Sequence, residues 1–230
     1  MHRKEIIADL LNEKSVVKSL IFDRSLEAFN MLKDVLSEMS NDLNDMIDND
    51  KFKRVRLEYR DRGKFEAELK FADDVLLFSM HTDVFEFDRN HPVWKNSYVQ
   101  TNKLNSYCGI INVYNFLNDS MKYNRTDDLG YLVARMFINR ESSFFVEGKR
   151  QNNQNTDDFG KNKLNRDYMI DFVESAMIYS LSFDLLVPPY DLVKVASLNQ
   201  MNAKIESSRM KTGKRLGFSY NSDDVLNGKD

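Results

Sequence analysis

Residues Tyr131–Gln151 read YLVARMFINRESSFFVEGKRQ, and the parity of this stretch decides the fold. Leu132, Ala134, Met136, Ile138, Phe144, Val146 and Gly148 are apolar or small and all even-numbered; Arg135, Phe137, Asn139, Ser143, Phe145, Glu147, Lys149 and Gln151 are odd. Such alternation is the pattern of strands with one face in a core. A loop at Arg140-Glu141-Ser142 pairs odd residues with odd, which keeps one face of a β-hairpin apolar and sets Glu147 opposite Arg135. The stretch also contains Glu147-x-Lys149-x-Gln151 after an apolar strand, the order found in metal-dependent nucleases and phosphodiesterases. That chemistry needs a second carboxylate beside Glu147 to hold a hard cation. The hairpin register puts an arginine there, and Glu68-x-Lys70 repeats the short motif in another strand. Glu147, Lys149 and Gln151 therefore stand as the catalytic alternative. The leading reading is a cross-strand ion pair, worth at most about 1 kcal/mol at a surface. Phe137 and Phe145 are expected on the exposed face beside Arg135 and Glu147, a combination suited to protein contact.

Upstream, Lys53–Asp88 reads as a three-strand meander. Val55, Leu57 and Tyr59 alternate with charges, as do Phe65, Ala67, Leu69 and Phe71 after Asp61-Arg62-Gly63. Opposite charges meet if Glu58 pairs with Lys64, Arg56 with Glu66 and Arg54 with Glu68. The third strand, Val75–Phe87, is more continuously apolar and is expected to be the best buried. Ser106–Tyr123 reads as a helix with Ile110, Val113, Tyr114, Leu117 and Met121 on one face. Before the meander, Ile6, Ile7, Leu10 and Leu11 suggest a short helix. A second helix, capped by Asp23 or Ser25, carries Phe29, Leu32, Leu36, Met39, Leu43 and Met46 at heptad spacing and ends among Asp42, Asp45, Asp48 and Asp50. The seam is expected to lie on the sheet, or in part against a second subunit. After the hairpin, a helix from about Arg166 to Leu185 points Ile170, Val173, Met177 and Leu181 inward. Pro188-Pro189 stops it, and a short last helix runs to about Ala203.

The 230 residues are 42% hydrophobic and 12% aromatic, enough for a sizeable core. The formal net charge of −3 lacks the positive excess of a general nucleic-acid binder. A local basic run, Lys204, Arg209, Lys211, Lys214 and Arg215, allows at most weak contact with nucleic acid or an acidic partner. Residues 1–203 read as one α+β domain and 204–230 as a polar, mobile tail. Cys108 is the only cysteine, which excludes an internal disulfide and a cysteine-rich zinc site. His81 and Asp83, with His91 a few residues on, offer the ligand types of a two-histidine-one-carboxylate iron site, against the plainer reading of a partly buried strand histidine. No phosphate loop or nucleophile elbow is present, and no cofactor is expected. No apolar run approaches the ~20 residues of a membrane span, and the charged start is unlike a signal peptide, so a cytoplasmic protein is expected.

The order helix–βββ–helix–ββ–helix resembles the type III secretion chaperone fold and its housekeeping relatives, the YbjN-like family of bacterial regulators. The matching parts are Ser25–Ile47, the meander, IINVYNFLNDSMKYN, the hairpin and DYMIDFVESAMIYSLSF, about residues 25–185. The resemblance implies a non-catalytic homodimer that binds a protein or peptide partner as chaperone, adaptor or regulator, with Arg135, Phe137, Phe145 and Glu147 as the contact residues read from the hairpin.

Overall fold

The computed structural model describes residues 3–47, 55–184, 187, 189–195 and 197–199. Asp48, Asp50, the far end of the expected last helix and the basic run of the tail lie outside the described residues.

A long helical segment leads into an antiparallel sheet. Helix α1 (Arg3–Leu10) passes through a π-helical turn at Leu11–Ser15 into α2 (Val16–Met46) without a break. No residue of α1 is buried; Ile6, Ile7, Leu10 and Leu11 are all exposed. The expected cap at Asp23 or Ser25 is not a helix start. Ser25 is buried in mid-helix, where its hydroxyl donates to the Ile21 carbonyl. The seam faces the sheet as expected through Phe29, Leu32, Leu36 and Met39, all buried, but Met46 is exposed.

Seven strands follow: β1 (Glu58–Asp61), β2 (Glu66–Phe71), β3 (Asp74–Met80), β4 (Phe85–Glu86), β5 (Tyr107–Leu117), β6 (Tyr131–Ile138) and β7 (Phe144–Gly148). They form one sheet in the order β1-β2-β3-β5-β6-β7, with β4 pairing β5 beside the end of β3. A short helix α3 (Ser97–Thr101) precedes β5 and α4 (Asn118–Lys122) follows it; α5 (Arg166–Leu181) and α6 (Tyr190–Val193) come after β7. The α+β class and the antiparallel sheet are as expected, but three details differ.

First, Ser106–Tyr123 is not a helix. Tyr107–Leu117 is the central strand β5. Ile111, Val113, Asn115 and Leu117 are buried while Ile110, Asn112, Tyr114 and Phe116 are partly exposed, a period of two. Its β-branched and aromatic residues suit a pleated surface. As a strand it also satisfies the backbones of β3 and β6, which would otherwise be open edges. The order of elements on which the family resemblance rests therefore lacks its middle helix.

Second, the β1–β2 register is Glu58 with Lys70 and Arg60 with Glu68, not Glu58 with Lys64. Charges still oppose, with Lys70 Nζ 3.0 Å from Glu58 and Arg60 3.1 Å from Glu68. Third, the third strand stops at Met80, and residues 81–84 turn before β4. In α5 the buried stripe is Met169, Phe172, Val173, Ala176 and Met177, whereas Leu181 is exposed. The helix ends at Leu181, well before the prolines.

Helices α2 and α5 cover one face of the sheet. The core there joins Phe29, Leu32 and Leu36 to Leu69, Phe78, Ile111, Val113, Met136, Val146, Phe172 and Val173. This is the inner face. On it α2 comes very close to β5 at Gly109, whose missing side chain makes room for Ser25.

Candidate functional site

The outer face carries the residues singled out from the hairpin. The register there is as expected: Arg135 pairs with Glu147, Met136 with Val146 and Phe137 with Phe145. Arg135 donates from Nε and Nη2 to Glu147 Oε2 at 2.7 and 2.6 Å. Glu147 Oε1 lies 3.1 Å from His91 Nε2. The His91 Nδ1 accepts from the Val93 amide, so the ring proton sits on Nε2 and donates to Glu147. Burial pushes the Glu147 carboxyl up, but the bonds from His91 and Arg135 and their charge outweigh it, so its pKa lies below the ordinary carboxylate value.

This arrangement does not resemble a metal centre. Both oxygens of Glu147 are engaged by cationic or N–H groups. Lys149 is exposed, beyond the end of β7, and Gln151 is buried. Among the described residues no group of three or more His, Cys, Asp or Glu is placed to hold an ion. His81 and Asp83 lie in the turn after β3, not on a strand. The Asp83 amide donates to His81 Nδ1, and His81 packs edge-on against Phe85. His91, the expected third ligand, is committed to Glu147.

Phe137 and Phe145 are not exposed contact residues. They are 3% and 0% exposed, roofed by the segment from Phe87 to Ser106 and by Phe159. Phe137 and Phe145 stack at 4.9 Å, Phe87 lies 5.0 Å from Phe137, and Phe159 meets Phe145 edge-on at 5.4 Å. The His91 ring stacks on Phe87 at 4.6 Å, so the Glu147 bond ties this cap to the sheet. Cys108 is buried beneath the cap, and burial pushes its thiol pKa up. A thiol so placed is not a poised nucleophile.

Among the described residues, neither α2, α5 nor the cap covers the outer face beyond Arg135 and Glu147, where Leu77, Ser79, Asn112 and Tyr114 are half-buried. A bulge in β6 creates its apolar part: β5–β6 pairing passes from Val113 with Ala134 to Tyr114 with Leu132, skipping Val133. Val133 and Ala134 both enter the core, and Leu132 turns outward, 45% exposed. The alternation alone placed Leu132 inside. It now stands beside Tyr114, which in turn pairs with Leu77. The next row crosses the sheet through Glu66, Ser79, Asn112, Arg135 and Glu147, each opposite the next. Arg62 extends the row at the β1 edge, its amide donating to the Glu66 carbonyl. At the far end a cleft of ≈ 720 Å³ opens between α4 and the outer residues of β1–β3, including Arg60, Glu68 and Lys70.

The outer-face placement of Ser79, Asn112 and Tyr114, and the bond from His91 to Glu147, escaped the sequence reading. Taking β5 as a helix hid Asn112 and Tyr114, although the period of two at Ile111 and Val113 marks the face they occupy. His91 comes from a loop remote in sequence from Glu147. The chain matches no protein-family model, no curated protein and no solved structure. Among the described residues no helix is long and apolar enough to cross a membrane.

Proposed function

We propose that the protein is a non-enzymatic binding protein, acting as chaperone, adaptor or regulator, and that the open outer face of its sheet is the protein-contact surface. The observation that carries this reading is the outward turn of Leu132 beside Tyr114 and Leu77, with charged groups next to them. A sheet face that, among the described residues, neither α2, α5 nor the cap covers, with an apolar centre and charged margins, has the makeup of a protein interface. Arg135 and Glu147 remain contact residues in this reading; Phe137 and Phe145 instead support the face from beneath the cap.

A photo-crosslinking residue at position 132 tests it, with position 174 on the exposed side of α5 as control. Protein adducts of defined mass at 132 and none at 174 are expected in cells. No adduct at 132 overturns the reading. Incubation with DNA and RNA plus magnesium or manganese tests the metal-dependent nuclease alternative: cleavage that disappears in Glu147→Ala would replace the binding reading with an enzymatic one.

A further inference from the structure

The outer row Arg62, Glu66, Ser79, Asn112, Arg135, Glu147 runs from one edge of the sheet to the other as plus, minus, neutral, neutral, plus, minus. Read backwards, it is minus, plus, neutral, neutral, minus, plus. Laid against its own reverse, every charge meets its opposite. We infer that the outer face docks a second copy of this chain, face to face, about a two-fold axis running along the strands between β3 and β5. The inference rests on the outer face being the contact surface.

Such an axis preserves height along the strands and reverses strand order. Glu66 then lies over the partner's Arg135, Arg62 over the partner's Glu147, and Ser79 over the partner's Asn112. A two-fold contact repeats each pairing, giving four opposite-charge contacts in one row. One row along the strands, Leu77 lies over the partner's Tyr114 at the centre, flanked by Leu132 over the partner's Glu68. Sheets that pack face to face stand about 10 Å apart, within reach of arginine and glutamate side chains. The four charged side chains are exposed enough to reach out, between 34% and 52%. The aromatic cap covers the β5–β7 half of the face at one end, and α4 overhangs the β1–β3 half at the other. The same rotation sets each of these against the half of the partner's face that its own counterpart leaves open.

Glu66 and Arg135 are three inter-strand spacings apart in one chain, about 14 Å, so a contact between them can arise only across two chains. This allows a decisive test by sedimentation equilibrium of the full chain. The wild type is expected to sediment as a dimer. Glu66→Arg alone and Arg135→Glu alone set like charges face to face and are each expected to raise the dimer dissociation constant roughly 100-fold. An equimolar mixture of the two variants restores every opposite pair and is expected to return to dimer mass. Circular dichroism checks that each variant folds. Should Arg135→Glu not fold beside Glu147, the swapped pairs Arg135→Glu with Glu147→Arg and Arg62→Glu with Glu66→Arg, each keeping opposite charges side by side in its own chain, carry the same test. A wild-type monomer, single variants that dimerise as tightly as wild type, or a mixture that stays monomeric each overturns the inference. Crosslinking from position 132 to a different protein, with a monomeric wild type, would sink the self-docking and leave the binding function standing.

Discussion

Gly109 of β5 lies directly beneath Ser25 of α2: a methyl group on Gly109 would stand 1.9 Å from Ser25 Oγ and 2.9 Å from its Cβ. The Ser25 side chain packs directly onto the Gly109 backbone here, and Ile21 and Phe29, one helical turn to either side, are buried. Gly109→Ala is expected to destabilise the protein by about 1–3 kcal/mol through overpacking. Adding Ser25→Gly should recover part of the loss, offset by the roughly 1 kcal/mol cost of glycine inside a helix. Urea titration of the two variants measures both terms. An unchanged midpoint in Gly109→Ala would mean that α2 shifts on the sheet at little cost.

Asn44 performs the work of a neighbouring strand. Its Nδ2 donates to the Leu57 carbonyl and its Oδ1 accepts from the Leu57 amide, both at 2.9 Å, on a residue just ahead of β1. Both groups are buried, so Asn44→Leu leaves a backbone donor and acceptor without these partners. The expected loss is about 2–4 kcal/mol, from two buried groups at roughly 1–3 kcal/mol each with some relaxation. Hydrogen exchange at the Leu57 amide is the direct readout. Protection there should drop sharply in the variant, and retained protection would contradict this role.

Arg125 and Asp128 form an ion pair at 2.8 Å whose side chains are only 6% and 4% exposed, and the Ser120 hydroxyl donates to the same carboxylate at 2.6 Å. The pair pins the loop between α4 and β6. Removing one buried partner leaves the other charge uncompensated, which typically costs about 3–5 kcal/mol. Asp128→Ala should therefore destabilise strongly, and a joint Arg125→Met, Asp128→Leu replacement much less, because no charge is left buried. If the double variant is as unstable as the single one, the loop depends on the shape of the pair and not on its charge. Thermal denaturation of both variants decides between these outcomes.

The hairpin was legible because two constraints agree. Its alternation fixes the faces, and a three-residue turn at 140–142 keeps odd residues opposite odd. The β5 segment satisfied two periods at once: Ile110, Val113, Tyr114 and Leu117 make a helical face, while Ile111 and Val113 make a strand face. A short apolar run cannot choose between them; the open edges of β3 and β6 do. The β1–β2 register was ambiguous because Glu and Lys recur every few residues, so more than one slip pairs opposite charges. The tie from Asn44 to Leu57 holds the entry to β1 in the observed place. Exposure of the outer face was the hardest to foresee. The cap that buries Phe137 and Phe145 comes from Phe87, Val93, Val99 and Phe159, none adjacent in sequence to the hairpin. Arg135 and Glu147 marked that face as polar, and only the part beyond the cap is.

Glu147 also predicts how the cap responds to acid. Its ordinary value of 4.5 holds in the unfolded chain, and the folded value is lower. Between the two, the unfolded state binds the proton and the folded state does not, so stability falls as pH drops through that window. The contribution is complete above the ordinary value and lost once pH lies below the depressed one. The side chain is about a third exposed, so solvent screens the pair and the term is about 1 kcal/mol or less. Glu147→Gln should therefore lower stability slightly at neutral pH and make the acid limb shallower than in the wild type. Cys108 beneath the cap adds a local readout: its reaction with a thiol reagent requires the cap to open, and at one fixed neutral pH should be faster in the variant than in the wild type. Urea midpoints across the acid range, taken beside the thiol kinetics, separate the two effects. An acid limb equally steep in both proteins would show that the His91–Glu147–Arg135 contact contributes nothing to it.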